Sequence, residues 1–314
     1  VMARLMKACA IIGSVNPSLA PRIQEALESG RPVVALESTV ITHGLPRPRN
    51  LELARLLEDT IREQGAEPAT IGVIGGRIVV GLSEEETIRL ADEDGVDKAT
   101  LWNLAAIAAQ GRSAGTTVAT TQHIALAAGI HVFSTGGIGG VHPAEFDEST
   151  DLIACARYQM ITVCAGPKSI LNVPATFERL ETLGVPVVAY RSDTFAGFHV
   201  PLTDLRAPAR ADSPAEIASV WRAHQQLGLT TGMIVTNPVS EGLDAATLAS
   251  WKAQAEADAL AAGIKGKETT PYMLGRLAEI SDGRTVDVNI RLLKENAALA
   301  ARIALAVTGR GRED

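Results

Sequence analysis

Cysteine is scarce in the 314-residue chain, and the three present, Cys9, Cys155 and Cys164, are an odd number without CxxC spacing. That pattern excludes a disulfide-stapled fold and a cysteine-built zinc site, and it fits a reducing compartment, so the expected location is cytoplasmic. No apolar run reaches the length that spans a bilayer, so no membrane partner is expected. Positive charge is not in excess either. With a formal net charge of −7 the chain has no basic stripe for a nucleic-acid backbone, and any anionic ligand must be held by local cations. Aromatic residues make up only 4%. The core must therefore be filled by Ala, Gly, Val, Ile and Leu, as in a helix-covered sheet whose layers approach closely.

The sequence has enough apolar content, 46%, to bury a large α/β core. Residues 1–20 combine a basic start with a short apolar part and no acceptable cleavage pattern, and they read as a flexible extension. The run from Pro32 to Ile41 predicts a buried strand, yet it contains Glu37. A carboxylate there costs several kcal/mol unless paired or protonated, so Glu37 is either half of a structural ion pair or an acid with a task. Asn50 is the expected cap of a helix over Leu51–Gln64, and Gly75-Gly76 between two β-type runs predicts a hairpin. Ser83 with Glu86 reads as a capping box. Lys98, taken alone, is a surface lysine.

Thr116-Thr117-Val118 opens an apolar helix whose first amides are suited to capping or to an anion. After the strand Ile130–Thr135 come four glycines within Gly136–Gly140 and then His142. Such a loop can wrap its amides around a small anion or simply turn, and its spacing is that of neither a dinucleotide fingerprint nor a Walker loop. Asp147 and Asp151 flank the start of the next helix, as caps or as hard oxygen ligands for Mg²⁺ or Mn²⁺. Ile161–Cys164 reads as a buried strand that breaks at Gly166-Pro167, which sets Lys168 at its carboxyl end, where open α/β sheets keep their ligands. Poor hydration beside Cys164, Ala165 and Pro167 would raise the fraction of neutral, nucleophilic amine, but taken alone the stretch reads rather as a lysine that caps the strand end and snorkels into water. Residues 191–212 read as a long irregular loop of the lid or binding type. Asn289 and Asn296 share one face of the last helix, to hydrogen-bond structurally or to read a ligand.

Taken together, Val33–Thr39, Thr42-His43-Gly44-Leu45-Pro46, Ala69–Gly76, Gly115–Ala119, Ser134–His142 and Val163–Leu171 resemble the pseudouridine-5′-phosphate glycosidase family, also called indigoidine synthase A-like. Thr236-Asn237-Pro238, Gly266–Pro271 and Asn289-Ile290 resemble its later segments, in the same order. The resemblance implies a single α/β/α sandwich domain with a mixed central sheet over residues 21–310, assembled as a homotrimer and binding Mn²⁺, with Mg²⁺ or another divalent ion as the substitute. It implies an enzyme of the hydro-lyase class with glycosidase activity, which reversibly cleaves pseudouridine 5′-phosphate into uracil and ribose 5-phosphate. By position, Glu37 matches the family's proton donor, Lys168 its nucleophile and Asp147 its metal ligand. Lys98, Val118, Ser149, Thr150 and Asp151 match substrate contacts. Thr135, His142 and Asn289, which lie in or beside the matching motifs, are added as further candidate contacts. Between His142 and Asp147 this chain is shorter than is usual in the family.

Overall fold

The structure is a computed structural model that describes residues 16–143, 146–264 and 269–309. Its centre is a sheet built on short apolar runs, each broken by glycine, proline or a capping residue before a helix begins. Val33–Leu36 (β2) lies between Glu67–Ile74 (β3) and Val132–Ser134 (β7), parallel to both. Ile161–Cys164 (β8), Met233–Thr236 (β13), Val187–Tyr190 (β9) and Ala209–Ala211 (β12) continue the parallel array outward from β7. On the other side β3 pairs antiparallel with Arg77–Val80 (β4) through the expected hairpin. Gly75 and Gly76 turn it with φ of +56° and +82°, a pair of left-handed conformations that side chains resist. β3 also pairs antiparallel with Ala114–Thr116 (β6), which carries Asp97–Ala99 (β5) parallel to itself. The sheet is therefore mixed, as expected.

Alternation along each strand sends side chains into two apolar layers. Val34, Leu36, Ile161 and Val163 join helices Arg49–Glu63 (α2), Pro214–Gln226 (α8) and Arg284–Val307 (α11). Val33, Ala35 and Cys164 face Pro21–Glu28 (α1), Val118–Ala127 (α5), Thr150–Arg157 (α6) and Val173–Thr182 (α7). With helices on both faces of one sheet, the fold is an α/β/α sandwich.

Several local expectations change. Of the extension anticipated through residue 20, residues 1–15 lie outside the described residues, while Ser18-Leu19 (β1) pairs with Val79-Val80 at the sheet's edge. The first strand stops at Leu36, and Val40–Gly44 is a wide helical turn. Asn50 is not at the cap position: the helix begins at Arg49, and although the Asn50 oxygen accepts from the Leu51 amide, its buried NH₂ donates to the carbonyls of Ile41 and Ala91, tying that turn to Glu84–Asp92 (α3). Ser83 and Glu86 do form the capping box. Residues 191–212 are not an irregular loop. Thr194–Gly197 (β10) and Val200–Arg206 (β11) form a hairpin, followed by β12. The alternation of half-buried Pro201, Thr203 and Leu205 with exposed Leu202, Asp204 and Arg206 carried this signal, masked by the mixed residue types on both faces. The later motif is described only from Thr269, since residues 265–268 lie outside the described residues.

Candidate active site

Parallel strands in register bring distant segments to one level. Leu36 pairs with Ser134, and Ser134 with Val163, so Glu37, Thr135 and Cys164 leave the sheet side by side. Glu37 is 8% exposed, and its Oε1 accepts a 2.5 Å hydrogen bond from the Thr135 hydroxyl. Burial pushes its pKa above the ordinary carboxyl value, against the opposing pull of Lys168, Thr135 and Lys98 and with Asp151 adding to the rise. The Thr135 carbonyl and that of Gly136 in turn accept from the Asn296 amide, whose oxygen accepts from Asn237 at the end of β13. The last helix is thereby fastened to the strand ends beneath the acid.

Lys168 leaves β8 after Gly166-Pro167. Gly166 has φ of +92°, and a Cβ there would lie 2.1 Å from the Ala196 carbonyl oxygen, so only glycine lets the β10–β11 hairpin pack under this loop. The Lys168 amide donates to Ile138 in the glycine-rich loop, which fixes the two loops to each other. Lys98, half-buried on β5, has its pKa held below the usual lysine range by burial first and by Lys168 second, against Asp151 and Glu37.

Two cavities meet at this point. One of about 110 Å³ is lined by Val118, Gly139, His142, Ser149, Thr150 and Asp151; the other, of about 290 Å³, is mostly apolar, with Leu45, Phe198, Leu274, Leu292 and Leu293 beside Thr135, His43 and Asn289. Glu37, Thr39, Lys98 and Lys168 line both. The structure thus brings together every expected site residue except Asp147, which approaches only through His142.

The roles within the polar cavity differ from one residue to the next. Asp151 is buried, and its carboxylate accepts from the amides of Ala119 and Gly139 at 3.0 and 2.8 Å, so it ties the start of α5 to the glycine loop. Ser149 caps α6 by accepting from the Asp151 amide. Val118 opens α5, where a first-turn N–H has no partner inside the helix. His142 is half-buried and neutral in tendency, its pKa lowered chiefly by desolvation. Its Nδ1 lies 4.0 Å from the half-exposed Asp147 carboxylate, and its amide donates to the Asp147 carbonyl at 2.8 Å. Among the described residues no group of three metal-type side chains occurs. One exposed carboxylate suits a hydrated Mn²⁺ or Mg²⁺ that keeps most of its waters, and does not suit a protein-built cage.

Sequence reasoning missed four contributors. Phe198 and His199 sit in the hairpin that was read as loop, and Thr39 in the segment read as strand. Ser169 was quoted only as part of a motif. Its hydroxyl is 2.8 Å from His199 Nδ1, and His199 Nε2 is 2.9 Å from Asn289 Oδ1.

Comparison with known proteins follows the same lines. Residues 22–306 match the family described as indigoidine synthase A like protein. A pseudouridine-5′-phosphate glycosidase of Thermus thermophilus is 54% identical over 88% of this chain and 98% of its own. One of Symbiobacterium thermophilum is 48% identical over 92% and 97%. Among solved structures, an indigoidine synthase A-like protein of Thermotoga maritima superposes with a TM-score of 0.86 at 36% identity, covering 93% of this chain and 97% of that one. The prealnumycin C-glycosynthase AlnA, solved with ribulose 5-phosphate, gives 0.87 at 37% identity over 95% and 98%.

Proposed function

The chain belongs to the indigoidine synthase A-like family, and from that premise we propose that it cleaves the C–C glycosidic bond of pseudouridine 5′-phosphate, with water, to uracil and ribose 5-phosphate, reversibly. The observation that carries the reading is the shared wall of the two cavities, where a buried carboxyl with a raised pKa and a lysine face one space. Close relatives bearing this activity's name, and a structural neighbour solved with a pentulose phosphate, support it.

The bond to be broken joins ribose C1′ to a ring carbon, so there is no glycosidic heteroatom to protonate and the usual carboxylate pair is not enough. Glu37, kept protonated by burial, donates to the ribose ring oxygen as the C1′–O bond opens. The Lys168 amine adds at C1′, uracil C5 takes a proton, and the C–C bond breaks with the nitrogen lone pair forming an iminium. Water hydrolyses the iminium to ribose 5-phosphate and returns the amine. The phosphate is best placed in the polar cavity, with Lys98, His142, the glycine-loop amides, Val118 N–H, Ser149 and Thr150; the base is then left to the apolar one with Asn289. Asp147 would hold Mn²⁺, which when bound supplies a fixed positive charge and oriented waters beside His142. A homotrimer working in the cytoplasm completes the proposal. Among the described residues no helix is long and apolar enough to cross a membrane.

Incubation with pseudouridine 5′-phosphate, with and without Mn²⁺, is expected to release uracil and ribose 5-phosphate, and uridine 5′-phosphate is expected to remain intact. Borohydride added during turnover should leave a ribose phosphate mass on the peptide carrying Lys168. Absence of uracil would favour an aldolase-type lyase on another sugar phosphate. Uracil release without an adduct would remove the imine step alone.

A further inference from the structure

Ser169, next to the lysine, and Asn289, in the wall of the larger cavity, are joined through one imidazole. His199 is fully buried, and desolvation pushes its pKa down to about 4, so the ring is neutral and carries a single proton. The partners decide which nitrogen holds it. Asn289 meets Nε2 with its amide oxygen at 2.9 Å. An amide oxygen only accepts, so Nε2 bears the hydrogen, and Nδ1 is left to accept from the Ser169 hydroxyl. The Thr285 carbonyl, one helical turn before Asn289, adds a second acceptor for the ring. The Asn289 NH₂ is then left without an acceptor among the described residues, on a side chain that lines the larger cavity.

We propose that His199 is a positioning residue that fixes Asn289 as a hydrogen-bond donor to the larger cavity, so that this cavity selects a ligand edge bearing a carbonyl oxygen over the same edge bearing an amino group. The proposal deepens the function proposed above and rests on it for the ligand: uracil presents carbonyl oxygens, and cytosine and isocytosine each replace one of them by an amino group. A buried donor that meets another donor is left unpaired, which costs more than a missing contact.

Two readouts test it independently. Nitrogen-15 spectra of the histidine-labelled enzyme should show the His199 ring as the Nε2–H tautomer, unchanged from pH 6 to 8; an Nδ1–H tautomer or a ring titrating in that range overturns the proposal. Inhibition of the enzyme by free uracil, cytosine and isocytosine should favour uracil over at least one amino analogue by about tenfold or more. Asn289→Asp, which presents only acceptors, should reverse that order, and His199→Phe, which frees the amide to rotate, should bring the ratio to within about threefold of unity. An order unchanged in Asn289→Asp, or no preference in the wild type, overturns it. A wild-type enzyme with the Nε2–H tautomer that releases no uracil from pseudouridine 5′-phosphate would refute the functional reading and not the tautomer.

Discussion

Replacing His199 by glutamine should flatten the acid limb of the protein's stability. The native ring titrates near 4 because it is buried, while the unfolded chain's histidine titrates near 6.5. Between those values the unfolded state binds a proton that the folded state refuses, so the stability contributed by the neutral ring is complete above 6.5 and is lost progressively toward 4. From pH 7 to pH 5 the proton-linkage expression gives a loss of about 2 kcal/mol from this one group, since each pH unit inside the window is worth about 1.36 kcal/mol. His43, His123 and His142 are also shifted down by burial, and they remain in the variant, so the difference between the two proteins isolates His199. Urea unfolding followed by tryptophan fluorescence at pH 7, 6 and 5 measures it. The wild type should lose about 2 kcal/mol more than His199→Gln across that range, although the variant starts lower at pH 7 through its altered hydrogen bonds. Equal losses, within about 0.5 kcal/mol, would refute the assignment of a buried neutral imidazole at this position.

Glu37→Gln should reduce turnover by about 10²-fold or more through loss of the proton donor, while raising the urea midpoint above pH 7, because a buried carboxyl with a raised pKa destabilises the fold as pH rises through that pKa. For the same reason wild-type activity should fall as pH rises through the raised Glu37 pKa, and a turnover independent of pH over the whole range in which the enzyme stays folded would contradict the acid role. Asp147→Ala should raise the Mn²⁺ concentration that gives half-maximal activity by about tenfold or more, read by titrating metal into chelated enzyme, and unchanged metal dependence would move the ion elsewhere. Gly139→Ala should lower both stability and affinity for ribose 5-phosphate, because its Cβ would fall 2.2 Å from Ser149 Oγ and 2.7 Å from the Asp151 carboxylate; calorimetric titration against wild type checks this.

The central strands, most helices and the strand-end placement of Lys168 were readable because apolar periodicity and Gly-Pro breaks are local signals, whereas Glu37, read inside a strand, stands just past its end at Leu36. Asp151 shows where that reading ran out. Its type suggested a cap or a ligand, but both oxygens are spent on amides that lie 32 and 12 residues away, a use that only the assembled fold reveals. Asn50 failed in the same manner: a good capping residue at a helix start was drawn instead into two tertiary carbonyls. His199 was hidden in a segment whose mixed residue types obscured a two-residue alternation, and its partners Ser169 and Asn289 are 30 and 90 residues distant. The family resemblance named the residues expected to meet substrate, and the side chains that hold those residues in place became visible only in three dimensions.

Asn296 sits near the end of the chain, yet it grips the carbonyls behind Thr135, whose hydroxyl steadies Glu37. The clasp joins positions 161 residues apart in the sequence, so it closes only when the helix that carries Asn296 has docked on the finished strand ends. A helix remote in sequence thus sets the footing of the acid, and a change that loosened it would be felt at Glu37 without touching it.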